Sequence, residues 1–540
     1  MWQIRPRTGA ILAVLLLLLS AAALRSVAVE RWLPYYFEDA TPALRALAYR
    51  SSAGQYDFNP RFFHYPAATF YLHFAAQGLG VAGLRVQGSD ADQAWRQLHD
   101  PALWLLIARW TTVACDLALV LLLLRAGGPG GVLAAGLAAV NCVQVQYAQT
   151  VIVDVPLTLC VFLCLQALAH QRVRAAACWA GLAAAAKYPA ALLLLFVFAE
   201  RPRTLAWALG GGVFLLLNPY ILLDWQRFSH HWAYEVDHML EGHFVAHEVA
   251  GAYYYGVELW RALGSLPLLC LAALGVIMCG GEPGARRAVR VHALWVGTYL
   301  AMIMMWSTHA VRYLLPVLPS CYVLASHGAQ CLWSGHRYLG RAAVVAVVLA
   351  YLIWQGHGLA RYFDTVRSPH TQVELQQWFV AQGRPLMAAE HYTLPDARDN
   401  HYLTIPMDVR APARTTGFYD LRWYGLFDYV VISSYVYERY LAQPSRFSQQ
   451  ARFYYTLEDR WPLAERFLST GKAGPTLLVY KNPEPARALR RNYTLTLTSS
   501  QALVGSSLML SRAYLQTMAD LLTEYGQPEA AKMMRDVKLR

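Results

Sequence analysis

Apolar runs long enough to cross a bilayer alternate with short arginine-bearing links over the first two thirds of the chain. The runs fall at 9–29, 101–124, 131–149, 154–170, 174–187, 188–200, 204–221, 259–279, 290–307, 310–328 and 338–358. A hydrocarbon layer of about 30 Å takes about 20 residues of helix, so the pattern predicts eleven crossings. The pair 174–187 and 188–200 is short for full crossings; short or proline-interrupted helices are tolerated where protein encloses them. Between the first two runs the chain is polar to amphipathic. A short helix is expected after Thr41 and Pro42, and a second over 66–84. Tyr71, His73 and Gln77 make that second helix too polar for lipid, so it is read as interfacial.

The links set the orientation. Arg5, Arg7, Arg125, Arg172, Arg174, Arg201, Arg203, Arg286, Arg287, Arg290, Arg337 and Arg341 gather in alternate links, where the only acids are Glu200 and Glu282. This positive-inside bias puts the amino terminus in the cytoplasm. Counting 66–84 as a crossing would place the arginine clusters outside, and the charge rule excludes it. The outer side then receives 30–100, the link 149–154, Lys187, the acidic loop 222–258, the link 307–312 and everything after residue 358. The leucine run Leu15–Leu19 is followed by no convincing cleavage site, so the first run is read as a retained anchor.

The tail changes character. Strands are expected at Leu386–Ala389, Tyr429–Ile432 and Thr476–Tyr480, and helices at 370–382, 434–442, 458–468 and 511–534. No glycine-rich phosphate loop or nucleophile elbow appears in it. The fold expectation is therefore a polytopic α-helical membrane domain over 1–358, with interfacial helices in its first outer loop. A soluble α/β or α+β domain over 359–540 follows it on the outer side.

Composition agrees: 56% of the 540 residues are hydrophobic and 15% charged, with a mean hydropathy of +0.28. A soluble chain is about a quarter charged. The net charge of +12 lies in membrane links and not on one soluble face, which excludes a nucleic-acid partner. All nine cysteines fall between Cys115 and Cys331 without CxxC spacing, so they read as small apolar residues.

Candidate chemistry collects on the outer side. Glu38 and Asp39 stand about nine residues after the first run, and sugar transfer to a hydroxyl needs a carboxylate to accept the proton. A solvated acidic pair is the plain alternative. Asp154, in Val153-Asp154-Val155-Pro156, begins a run on the outer side; it holds acceptor or metal there, or caps the helix. Lys187 closes the alanine run Ala183–Ala186 and precedes Tyr188 and Pro189. It suits a donor phosphate, or snorkels to the surface. Arg312 is an outer-side arginine at the start of a run, apart from the arginine clusters of the inner links, which favours anion binding. His64 and Tyr65, before Pro66, read as substrate contacts or packing. His243 with Glu38 and Asp39 forms a candidate metal set of nitrogen and oxygen ligands. Asp116, in the middle of a run, is the main argument for a transporter.

The acidic pair in the first outer loop, Tyr65-Pro66, Asp154-x-Pro156, the small residues from Gly181 to Lys187-Tyr188, and Arg312-Tyr313 followed by Pro316 and Pro319 form an ordered set. It resembles the lipid-phosphate-sugar-dependent glycosyltransferases of the C-type superfamily. Within these it is most similar to the bacterial branch of protein O-mannosyltransferases and lipid A aminoarabinose transferases. The similarity covers about 9–358, and more loosely Tyr429–Tyr435 and Gly474–Lys481. It implies a polyprenyl-phosphate sugar as donor and inverting transfer of a hexose or pentose. The acceptor is a hydroxyl on a glycan, lipid or protein, at the outer face of a bacterial inner membrane. Glu38 takes the place of the family's usual aspartate base and Asp39 that of its glutamate, so the residue types are reversed and either remains the base. Lys187 and Arg312 fall where the phosphate is handled, and a divalent cation occurs only in some relatives. The competing readings are a transporter, which internal repeats would mark and none is found, and a non-catalytic envelope scaffold.

Overall fold

The computed structural model describes residues 8–51, 53–126, 130–200, 203–241, 250–263, 266–278, 283–335, 338–383, 385–394, 402–405, 416–425, 427–485, 516, 519–520, 523 and 528–535. They form two units. The first comprises Met1–Glu30, Ala40–Gly242 and Val249–Phe363; the second comprises Arg31–Asp39, His243–Glu248 and Asp364–Arg540.

The first unit is helical. It opens with α1 (Thr8–Ser26), then α2 (Thr41–Leu47), α3 (Ala68–Val86), α4 (Ala91–Leu98) and α5 (Pro101–Ala126). Next come α6 (Gly131–Val140), α7 (Cys142–Ala148), α8 (Asp154–Ala169), α9 (Val173–Ala186), α10 (Leu192–Phe198) and α11 (Arg203–Leu217). Then follow α12 (Tyr220–Leu223), α13 (Trp225–Glu241), α14 (Gly251–Leu263), α15 (Leu266–Ile277), α16 (Pro283–Met304), α17 (Leu318–Gly335) and α18 (Leu339–Arg367).

Two of these helices, α5 and α18, are each long and apolar enough to cross a membrane, and two bent pairs, α6–α7 and α14–α15, raise the number to four if each pair is one crossing. The chain is thus a largely helical polytopic membrane protein. The eleven apolar runs do not each become one long straight helix, because α6 and α7 meet at 66° and α8 and α9 are only 16 and 14 residues long. The helix expected at 66–84 is α3, but His73 and Gln77 are buried in protein, with Gln77 Nε2 donating to the Ala43 carbonyl at 2.9 Å. Its polarity therefore serves contact with α2.

The second unit carries a five-stranded sheet ordered β2-β1-β3-β5-β4, from β1 (Met387–Ala389), β2 (Tyr402–Thr404), β3 (Tyr429–Ser433), β4 (Leu463–Phe467) and β5 (Leu477–Lys481). The strands β2, β1 and β3 are parallel, and β5 is antiparallel to both β3 and β4. Helices α19 (Thr371–Ala381), α20 (Ser434–Leu441), α21 (Ser448–Arg460) and α22 (Pro528–Arg535) accompany it. The helix expected over 458–468 is corrected. Residues 448–460 are helical, and 463–467 are an edge strand with three exposed positions in a row. Most of the helix expected over 511–534 lies outside the described residues.

Glu390 directly follows β1 and is fully buried. Its Oε1 accepts from the Tyr454 hydroxyl, and its Oε2 from the Ser433 amide at 2.9 Å. Burial pushes its carboxyl up to about 8, with those two hydrogen bonds pulling the other way.

Candidate active site

Three sequence-singled charges meet in the first unit. Asp154 is the first residue of α8, where the helix dipole favours an anion, and the C-terminus of α9, just before Lys187, favours a cation. Lys187 Nζ donates to Asp154 Oδ1 at 2.7 Å, and Arg312 Nε lies 3.7 Å from Oδ2. The Lys187 ammonium also sits 4.2 Å from the centre of the Tyr313 ring, which favours a cation through its negative face. Asp154 is 1% exposed, the Lys187 side chain 8% and that of Arg312 34%, so Arg312 is the member a ligand reaches first. Two cations share one carboxylate. Asp154, a candidate catalytic acid from sequence, is thus engaged in holding both cations.

Local sequence explains the convergence. A Cβ on Gly181 would lie 2.3 Å from the Gly210 carbonyl, so only glycine lets α9 approach α11 this closely. Pro189 stands in the 3-10 turn Tyr188–Ala191, which ends α9 and leaves Lys187 extended. Arg312 lies in a second 3-10 turn, Val311–Leu314. The segment before it is held by His309, which stacks on Tyr254 at 5.1 Å and hydrogen-bonds the Trp306 carbonyl at 2.8 Å.

His64 pairs through Nδ1 with Glu235 Oε1 at 2.7 Å and stacks on His231 at 4.4 Å. His231 Nδ1 accepts from the Phe63 amide, and burial, then neighbouring cationic groups, push that imidazole down to about 4. Tyr188, next to Lys187, donates its hydroxyl to the Phe63 carbonyl at 3.0 Å, so the loop bearing His64 is tied to the segment bearing Lys187. Tyr65 packs beside the buried Tyr49, Phe62 and Phe70. Glu235 is the partner that sequence reasoning did not single out; Tyr313 entered it only beside Arg312 in the motif.

Glu38 and Asp39 belong to the second unit. Glu38 Oε2 accepts from Arg31 Nη2 at 3.0 Å, with both side chains nearly buried. His243 lies outside the described residues. Among the described residues no three His, Cys, Asp or Glu side chains are arranged to hold a metal. Glu38 is engaged by the Arg31 guanidinium.

Asp116 is no isolated intramembrane acid. It is paired with Arg25 and accepts from Gln144 Nε2 at 2.8 Å, so its charge is balanced within the helices.

No protein-family profile matches the chain, and no curated protein sequence does. Solved structures do. The crystal structure of ArnT from Cupriavidus metallidurans in the apo state is 16% identical, with a TM-score of 0.53 over 88% of this chain and 98% of that one. The same protein bound to undecaprenyl phosphate is 15% identical, with a TM-score of 0.52 over 87% of this chain and 98% of that one. At this identity the likeness is one of fold, and it runs through both the helical region and the tail: this chain has the architecture of ArnT.

Proposed function

We propose that the protein is an inverting glycosyltransferase of a bacterial inner membrane. It moves a sugar from a polyprenyl-phosphate carrier to a hydroxyl on a glycan, lipid or protein at the outer face. The observation that carries this reading is the convergence of Lys187 and Arg312 on Asp154, in a chain whose fold resembles a protein crystallised with undecaprenyl phosphate.

In the mechanism Lys187 and Arg312 grip the donor phosphate and stabilise the charge that develops on it as the sugar leaves. Asp154 keeps both cations oriented before the donor arrives. Either Glu38 or Asp39 takes the proton of the acceptor hydroxyl. The lipid phosphate is itself the leaving group, so no nucleotide takes part, and no step here runs through a metal. His64, held by Glu235, sits on the loop that Tyr188 ties to the segment bearing Lys187. The eleven runs span the membrane as whole or broken helices, with the amino terminus inside and residues 359–540 outside.

The test uses purified protein in nanodiscs with undecaprenyl-phosphate-linked hexose and pentose donors, reading the undecaprenyl phosphate released. K187A and R312A should weaken binding of undecaprenyl phosphate, and at least one of E38Q and D39N should abolish release while leaving that binding intact. Full turnover in all four variants would remove the assignment.

A further inference from the structure

The helix break between α6 and α7 is satisfied on both sides by buried polar groups drawn from distant parts of the chain. A broken helix inside a membrane exposes carbonyls at one end and amides at the other, and each left unpaired in a dry interior costs several kcal/mol. On the carbonyl side, Arg25 Nη1 donates to the Ala139 carbonyl at 2.8 Å and Nη2 to that of Ala138 at 3.0 Å, while the Tyr351 hydroxyl donates to that of Leu137 at 2.9 Å. On the amide side, Asn141 Oδ1 accepts from the Gln144 amide at 2.9 Å, and its Nδ2 donates to the Ala262 carbonyl at 2.6 Å.

The same arginine reaches further. Its Nε pairs with Asp116, whose second oxygen takes the Gln144 side chain from the first turn of α7. The far end of α7 is tied to the same two helices. Thr112 donates to the Ala148 carbonyl at 2.8 Å, and Gln149 bonds both the Leu24 carbonyl and the Ala28 amide. Arg25, Asp116, Asn141, Gln144 and Gln149 are all buried. Only the planar fork of an arginine serves two successive carbonyls and a carboxylate together.

What α7 presents is Tyr147. The helix packs against the 3-10 turn that bears Arg312, and Tyr147 stands within electrostatic reach of Arg312 and Asp154. We propose that Arg25 is a positioning residue: it caps the broken helix and, through Asp116 and Gln144, sets where α7 holds Tyr147 against the anion-binding cluster. The second half rests on the reading of that cluster as the donor-phosphate site. A single buried ion pair fixing a unique register is the best-attested use of such pairs.

The experiment compares full-length wild type, Q144L and R25K in nanodiscs by amide hydrogen exchange and by undecaprenyl phosphate binding. Q144L keeps both charges, and R25K keeps the charge while losing the fork. Both should speed exchange over 142–148 about tenfold while α8 and α9 stay protected, and raise the Kd about tenfold, which corresponds to about 1.4 kcal/mol. Exchange over 142–148 unchanged in both variants overturns the cap. Faster exchange with an unaltered Kd overturns the link to the site. Uniformly faster exchange across all helices reduces Arg25 to a general stability role and overturns the proposal. A wild type that fails to bind undecaprenyl phosphate sinks the reading of the cluster, and with it the second half, while the exchange data still decide the cap.

Discussion

Asp154 brings a negative charge into the protein interior and meets cations at both oxygens. Removing its charge leaves the Lys187 ammonium buried without its carboxylate, and breaking such a pair from one side costs roughly 3–5 kcal/mol. D154N should therefore unfold more readily than the double variant D154L/K187M, in which neither charge remains; thermal unfolding in detergent decides, and equal melting temperatures would refute it. Glu390 makes a pH prediction of the opposite kind, since it has no cationic partner among the groups that shift it. Its carboxyl titrates near 4.5 when unfolded and near 8 when folded. Stability from this group is then complete below about pH 4.5. It falls by about 1.4 kcal/mol per pH unit as pH rises toward 8, and is flat above that. E390Q should remove this slope, and parallel melting profiles for the two proteins between pH 5 and pH 8 would sink it. Asp154, Lys187 and Arg312 were legible in the sequence because a charge beside an apolar run is conspicuous. Arg25 and Glu235 were not. The first reads as the flank of an anchor and the second as one acid among several in a loop, and their roles come from partners 91 and 171 residues away.

Helix α9 reaches its place through small residues, and one glycine of α9 and one of its neighbour α11 allow a matched test. A Cβ at Gly181 meets the Gly210 carbonyl, whereas one at Gly211 meets nothing within 4 Å. G181A should force α9 and α11 apart at a cost of about 1–3 kcal/mol and displace Lys187, weakening undecaprenyl phosphate binding. G211A should leave both stability and binding near wild type, or slightly more stable, because alanine is the better helix former. Equal behaviour of the two variants would show that the close approach does not set the site. At this scale the sequence was read well where periodicity was strong: β1, β3, β5, α19 and α20 fall within a residue or two of expectation. It failed at β4, whose Glu465 and Arg466 carry the charge expected of a guarded sheet edge and hide its pairing. It failed also at the Asn141 break, because an asparagine inside an apolar run does not announce that its caps lie in α1 and α18.

The two units interleave along the chain, and that bears on where the proposed base sits. Residues 31–39 follow the first helix in sequence yet are part of the tail unit. Phe37 stacks on His370 with ring centres 3.5 Å apart, Trp32 packs edge-on to the same ring at 4.8 Å, and the indole of Trp32 donates to the Ser368 carbonyl. Burial pushes the His370 imidazole down to about 4, and its neutral Nδ1 accepts the Gln372 amide at the start of α19. Glu38 is therefore carried on a strap anchored by aromatic contacts to His370 and by the Trp32 bond to Ser368. Truncating one ring of such a pair costs about 1 kcal/mol, too little to unfold the tail but enough to loosen the strap. F37A should thus lower turnover about tenfold or more with undecaprenyl phosphate binding unchanged, since Lys187 and Arg312 are untouched. F37W should retain most of the activity. If F37A alters binding and turnover in equal proportion, or neither, the strap does not position the base, and Glu38 is an acid serving only its bond to Arg31.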